Sequence, residues 1–475
     1  MKGSGKYLPL NCMDRMVLAY HEVNEPFWIH AFLDLEGEVD PSRLNQAIMS
    51  AQMAHPVMRT VLHGKYLRIT REIQDDLGEG VLTYINMADQ HDGDYERCLF
   101  EWMNKPLDLR KEFPLRVLLV KKNDTQSTLV FTFHHSAADG LRAIFFIRKV
   151  VEYHNNGTLT DSDHPEDIRL TLKGDPLFKF AQTHRARVKN YYRKMFYDIF
   201  FRLVLAIVPS PSRLYRDRSG HSRDTFFCNA TMGPEKLRQL EAKAASAGVE
   251  VNDILLASCY RIVDIWNRMH GKTSNKVRVM AIVNVSPKGF RQVVSNQMSW
   301  ISPVTWPDDR ADQARLLKKM RSHTLSAAMN RIAFSLIYFF YFTTRPPPVI
   351  HRQIFRFLVI TRTYVDSVFL TNIGIVWPKV GSDEPAVTHI GSARIVNLTG
   401  SPPVVTPWRL GFGVSTYNRN LNISLTYRPS MFSREKVQQF LDLYVEEVMN
   451  YDVGSKASAE HQESVSREPA AAGIK

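Results

Sequence analysis

The chain has 475 residues, 44% hydrophobic and 23% charged, the composition of a soluble globular protein with room for two sizeable cores. Cys12, Cys98, Cys228 and Cys259 stand far apart without a CxxC spacing, which excludes a disulfide framework or zinc knuckle and points to a reducing compartment. The net charge of +13 is local: His184 to Arg218 carries nine Lys/Arg against two Asp, and Arg331 to Thr363 carries five Arg and no acid. In both stretches aromatic residues alternate with long aliphatic ones, a pattern that suits lipid better than nucleic acid.

The start, MKGSGKYLPLNCMDR, lacks the apolar region of a signal peptide, and no run reaches the roughly 18 to 20 apolar residues of a spanning helix. Residues 7–20 read as a loop and a short helix, and Phe27 to Leu35 as a strand. Asp40-Pro41-Ser42 opens a helix to about His55. Pro56 to Leu62, Tyr66 to Glu72 and Val81 to Asn86 read as strands, and Asp94 to Asn104 as a helix. Leu115 to Lys121 and Ser127 to Phe133 form a predicted hairpin that runs into two adjacent histidines, a small-residue turn and a helix from Gly140 to about Asn156.

Residues 157–183 show no periodicity, and Arg185 to Pro209 is a basic amphipathic segment. Further on, strands are predicted at Thr225 to Thr231, Lys276 to Val285, Val368 to Ile375, Ala386 to Val396, Leu410 to Thr416 and Asn420 to Tyr427. Helices are predicted from Gly233 to Ala247, after the cap Val251-Asn252-Asp253, from Asp308 to Met329 and from Ser433 to Tyr451. The boundaries that follow are an N-terminal lobe over residues 1–160, a linker with the basic segment over 161–222, a C-terminal lobe over 223–452 and a disordered tail over 453–475.

The chemistry centres on HHSAADG, His134 to Gly140, at a strand end. Side chains alternate along a strand, so His134 and His135 face opposite sides and only one serves a given cavity. That argues against a zinc pair. No Gly-x-Ser-x-Gly elbow surrounds Ser136, which argues against a serine nucleophile.

HHSAADG resembles the HHxxxDG motif of the CoA-dependent acyltransferase superfamily, which includes condensation domains, wax ester synthase/diacylglycerol acyltransferases, alcohol acyltransferases and chloramphenicol acetyltransferase. Asn252-Asp253-Ile254-Leu255-Leu256-Ala257 resembles a segment of the wax ester synthases, and VSPKGFRQVVSNQMSW, FLTNIGIV and STYNRNLNISLTY resemble later segments of the superfamily. The resemblance, over residues 7–450, implies an α/β fold of two chloramphenicol-acetyltransferase-like sandwich lobes, a pseudo-dimer with a tunnel between them.

It also implies roles. His135 is the general base, His134 its supporting neighbour, and Asp139 holds the loop by pairing with Arg291. Gly140 leaves room for the acyl chain or pantetheine arm; Arg291, Asn296, Asn372 and Ser415 bind substrate along the tunnel. No metal and no permanent cofactor are expected. The donor is acyl-CoA or a phosphopantetheine-linked acyl carrier protein. The acceptor is a hydroxyl or amine, on a lipid-like or hydrophobic molecule. Two alternatives stand beside this acyltransferase: a free-standing condensation enzyme forming amides or esters on carrier-bound substrates, and a non-catalytic recruiting module. The expected location is the cytoplasm, with peripheral membrane association through Arg185 to Pro209 and Ile332 to Arg362.

Overall fold

The computed structural model describes residues 7–157 except 22–24, 26, 65–68 and 89–91, then 211–285, 293–330, 333–344, 353, and 366–454 except 380 and 407. The expectations for Arg185 to Pro209, for Arg291 and for the tail beyond residue 454 lie outside the described residues.

In the N-terminal lobe, β1 (Tyr7–Leu8), β3 (Thr60–His63) and β4 (Thr70–Ile73) form a small sheet. The main sheet holds β2 (Trp28–Glu36), β5 (Leu82–Asn86), β6 (Leu115–Lys121) and β7 (Gln126–His134). Every residue of β7 after Gln126 is buried. The reason is that both faces of the sheet are covered. On one side lie α2 (Pro41–Ala54) and α4 (Gly140–Asn156), whose Ile48, Phe146 and Ile147 meet Phe131 and Phe133. On the other lies α3 (Asp92–Asn104), whose Trp102 and Met103 meet Val130. Asp40 caps α2 ahead of Pro41, as the sequence predicts. Pro56–Arg59, read as strand, is a 3-10 turn, and the strand starts at Thr60.

The C-terminal sheet holds β8 (Phe226–Met232), β9 (Val277–Asn284), β10 (Met298–Ile301), β11 (Val304–Thr305), β12 (Val368–Ile375), β15 (Leu410–Tyr417) and β16 (Asn420–Tyr427). Its core is built on the helix Val251–Met269, whose Tyr260 and Trp266 are buried, and on the helix Arg434–Met449. The predicted helix from Asp308 to Met329 breaks at Asp312 into Pro307–Ala311 and Gln313–Asn330.

The lobes do not divide at a point in the sequence. The predicted strand from Ala386 to Val396 is displaced: β13 is His389–Ile390 and β14 is Ala393–Ser401. Strand β14 leaves the C-terminal half and pairs antiparallel with β2, from Arg394 opposite Glu36 to Ser401 opposite His30, completing the N-terminal sheet. The stretch 223–452 thus supplies two strands, β13 and β14, to the N-terminal sheet. Beyond Arg394 the far edge of β14 meets side chains of the C-terminal sheet. Leu398 O accepts from Ser415 Oγ at 3.1 Å and Asn422 Nδ2 at 3.2 Å, and Gly400 O accepts from Ser424 Oγ. Gly413 permits this approach, since a Cβ there would sit 2.8 Å from Gly400 O. A buried ion pair closes the same seam: Arg428 Nη2 lies 2.5 Å from Glu25 Oε2, and Thr406 Oγ1 donates to Glu25 Oε1 at 2.6 Å.

No helix among the described residues is long and apolar enough to cross a membrane. Within the second basic stretch, the helix Phe334–Thr343 turns Ile337 and Phe340 inward onto α1 (Cys12–His21) and β10, although Phe342 is 62% exposed. Ile337 and Phe340 thus serve the protein's own core, where the sequence suggested a surface for lipid.

The seam makes a prediction. Asn422→Ala removes the amide donor that serves Asn397 Oδ1 and Leu398 O, together with the acceptor of the Thr231 hydroxyl, so denaturant unfolding is expected to show a loss of about 1–3 kcal/mol. Gln439→Ala on an exposed helix face stays within about 0.5 kcal/mol.

Candidate active site

Strand β7 carries the two histidines past the end of its ladder. His134 lies opposite Trp28, and His135 N extends the pairing to Phe27 O at 2.8 Å. The side chains then diverge as alternation requires. His134 is fully buried, edge-on to the rings of His21 and Trp28, with Nδ1 2.8 Å from Ser136 Oγ. His135 faces a cavity between the lobes, edge-on to Phe27 at 5.2 Å.

The cavity measures about 170 Å³. His135, Asp139 and Gly140 lie on its N-terminal wall, Asn372 and Ser415 on its C-terminal wall, and β14 contributes Leu398 to Ser401 between them. His135 is 5% exposed, and its Nδ1 makes no full hydrogen bond among the described residues. Burial lowers its pKa below the ordinary imidazole value; its own backbone carbonyl and the charge of Asp139 oppose that shift. The ring is therefore neutral at pH 7, the state a proton acceptor needs.

Asp139 ends the turn and starts α4. Its Oδ1 accepts from Arg142 N at 3.0 Å, an N-cap, and its Oδ2 accepts from Gln297 N at 2.7 Å. Its own N–H donates to Ser295 O at 3.3 Å. The carboxylate thus ties α4 to the 295–297 segment of the other lobe. The proposed partner Arg291 lies outside the described residues. What the sequence did not reveal is that two backbone N–H groups hold this buried carboxylate.

Gly140 sits where α4 meets β12, and a Cβ there would lie 3.2 Å from Ile373 Cγ2. Its smallness keeps the lobes close at the cavity wall. Asn296, expected to bind substrate, is fully buried and does not line the cavity; its carbonyl accepts from Asn11 Nδ2 at 2.9 Å. Ser415 and Asn372 do line it, but their polar groups already have work. The one Ser415 hydroxyl proton goes to Leu398 O. Asn372 Nδ2 donates to Asn252 at 3.1 Å, while its Oδ1 accepts from Gly374 N at 2.8 Å and fixes a turn. Ser415 therefore meets the cavity with its hydroxyl donor engaged at Leu398 O.

A second set of residues escaped the sequence reading. Asn11 and Asp14 cap each other's backbone at the start of α1, at 2.8 and 2.9 Å. Asp14 Oδ2 pairs with Arg71 Nη1 at 3.1 Å, both side chains under 7% exposed, and Arg71 Nη2 donates to Ser136 O inside HHSAADG. One helix start therefore holds the histidine turn through Arg71 and the 296 segment through Asn11. The NxxD spacing of Asn11 and Asp14 carried a capping signal; Arg71, 57 positions after Asp14, carried none. His30, also on the wall, was missed too. Its Nδ1 lies 3.0 Å from Thr132 Oγ1, and burial, with Arg116 nearby, lowers its pKa to about 3.

With this geometry in hand, comparison with known proteins is informative. The model of the family described as condensation domain matches residues 9–451. Bacitracin synthase 3 of Bacillus licheniformis is 26% identical over 140 residues, 28% of this chain and 2% of that protein. Surfactin synthase subunit 1 of Bacillus subtilis (strain 168) is 27% identical over 143 residues, 30% of this chain and 4% of that protein. The aligned segment is thus a small fraction of these relatives' length. The first condensation domain of the calcium-dependent antibiotic synthetase, solved with a substrate analogue, superposes with a TM-score of 0.68 at 12% identity, covering 95% of this chain and 98% of that one. At that identity the likeness concerns the fold.

Two expectations follow. Breaking the Arg71–Asp14 pair from one side, by Arg71→Met or Asp14→Leu, is expected to cost about 3–5 kcal/mol, with the double mutant losing less than the sum of the two single ones; thermal unfolding of the four proteins measures the coupling. His30 and His134 are buried with lowered pKa values. The unfolded chain binds protons below about pH 6.5 that the folded one refuses, so stability is lost as pH falls from 6.5 toward 3. The slope reaches about 1.4 kcal/mol per pH unit for each histidine, and His30→Gln is expected to flatten it in denaturant titrations between pH 6.5 and 4.5.

Proposed function

The chain belongs to the condensation-domain family, within the CoA-dependent acyltransferase superfamily, and from that premise we propose that it condenses an acyl group held as a phosphopantetheine thioester on a carrier protein with an amine or hydroxyl acceptor, forming an amide or ester. The observation that carries this reading is His135, a neutral imidazole at the wall of a cavity between two acyltransferase lobes.

A thioester is already activated, because its leaving group is a thiol of pKa about 8.5. The acceptor is the sluggish partner. As it attacks the carbonyl carbon, His135 takes the proton from its nitrogen or oxygen. The tetrahedral intermediate collapses with cleavage of the C–S bond, and the proton passes to the departing thiolate. No acyl-enzyme forms. His134 cannot share this task from the opposite face of the strand; it braces the turn through Ser136. Asp139 keeps α4 and the 295–297 segment in place, and its charge favours the imidazolium that forms in transit.

The lipid O-acyltransferase reading with acyl-CoA is less well supported. It leaned on the Asn252-to-Ala257 segment and on the two basic apolar stretches, and the side chains of Asn252 and Asp253 are structural here. Asn252 accepts from Asn372, while Asp253 caps its helix at Glu250 N and pairs with Arg321 at 3.1 Å. The family match and the synthetase relatives favour carrier-bound substrates instead.

His135→Ala is expected to lower transfer from an acyl N-acetylcysteamine thioester to a simple amine by roughly 10² to 10⁴, with the melting temperature unchanged within a few degrees. Transfer within threefold of the unmodified protein removes His135 from the mechanism. Because the His135 pKa is lowered, the acid limb of kcat/KM is expected below pH 6.5.

A further inference from the structure

From His135 a continuous series of rings leads away along one wall of the cavity. Phe27 meets the imidazole at 5.2 Å, Tyr20 meets Phe27 at 5.6 Å, Trp408 meets Tyr20 at 6.4 Å, and Phe369 meets Trp408 at 6.0 Å. All four rings line the cavity. They belong to a buried apolar cluster that is separate from the two lobe cores and also holds Met16, Met280 and Met298, which line the cavity as well. The space beside His135 is therefore bounded by aromatic rings and flexible thioethers, the surface that accommodates apolar chains of variable shape.

The charge on the wall points the same way. Among the described residues the cavity is lined by no Lys, Arg or Glu, and by one Asp. That one, Asp139, already accepts a backbone hydrogen bond on each oxygen. His30 stays neutral beside Thr132. Among the described residues, the one anion that a free ammonium next to the thioester carbonyl would meet is Asp139, whose two oxygens are already engaged by backbone N–H groups, and burying a charge without a free partner is strongly unfavourable.

We infer that the acyl group this site takes is an uncharged, mainly apolar chain lying along the Phe27–Tyr20–Trp408–Phe369 wall, and not an aminoacyl group with a free ammonium. The inference rests on the reading above that His135 marks the reacting end. It adds the chemical class of the donor and a set of specificity-determining residues remote from the proton transfer.

The test is binding of non-hydrolysable acyl-pantetheine amides to the full chain, by calorimetry, so that turnover plays no part. From acetyl to decanoyl, affinity is expected to rise by up to about fourfold per methylene until the wall is covered. Glycyl-pantetheine amide, which carries the ammonium, is expected to bind at least tenfold more weakly than its propionyl isostere. Met280→Trp, which fills part of the space, is expected to end the rise at least two methylenes earlier; Met298→Phe gives the same readout if the first variant does not fold. A flat chain-length series, or a glycyl amide as tight as the propionyl one, overturns the inference. His135→Ala separates it from the catalytic reading: the chain-length dependence is expected to survive in this variant while transfer is lost. Retained transfer with a steep series defeats the role of His135 and leaves the pocket standing. Lost transfer with a flat series does the reverse.

Discussion

Strand β14 is the constraint on which the rest of this molecule depends. It is a strand of the N-terminal sheet by backbone pairing with β2 and a neighbour of the C-terminal sheet by side-chain hydrogen bonds from Ser415, Asn422 and Ser424. An open strand edge exposes unpaired carbonyls, and buried carbonyls must find donors. Here the second lobe supplies them. The same strand runs through the cavity wall from Leu398 to Ser401. The lobes are consequently locked in register at the cavity wall, and rigid-body slippage between them would break several buried hydrogen bonds at once.

The HHSAADG turn is fixed by a different kind of contact. HHSAADG is short, small and glycine-terminated, and its Ala137 and Ala138 offer little packing of their own. Its geometry is imposed from outside. Arg71 takes the carbonyl of Ser136, Ser136 takes the ring of His134, and Asp139 takes backbone N–H groups from α4 and from Gln297. Each donor or acceptor is buried, so leaving any one unpaired is costly. Such a network positions an imidazole more tightly than apolar packing alone, because hydrogen bonds have direction and dispersion contacts do not. Within HHSAADG it is His135 that faces the cavity, while the His134 ring packs against His21 and Trp28.

The division of labour between the histidines shows how burial assigns roles. Desolvation lowers the pKa of both. For His134 the neighbouring His21, His135 and Arg71 act in the same direction, so nothing offsets burial. For His135 the charge of Asp139 and its own backbone carbonyl act against burial, although the net direction is still downward. Two chemically identical neighbours thus acquire different capacities from the faces of the strand they occupy.

Much of this was legible in the sequence wherever the cause was local. Hydrophobic periodicity and cap residues placed β2, β7, α2, α4, β12, β15 and β16 within a few residues, because such signals depend on neighbours along the chain. The alternation of a strand by itself puts His134 and His135 on opposite faces. What the sequence could not decide depends on residues brought together from far apart. The crossing of β14 into the other lobe joins Ser401 to His30. The pairing of Arg71 with Asp14, the diversion of Ser415 to a carbonyl and the inward turn of Ile337 and Phe340 are equally non-local. A serine at a strand end reads the same whether its hydroxyl faces a substrate or a neighbouring backbone, and an apolar helix reads the same whether lipid or protein covers it. Local propensity selects the elements; only the packing of one lobe on the other selects which polar groups remain free to act.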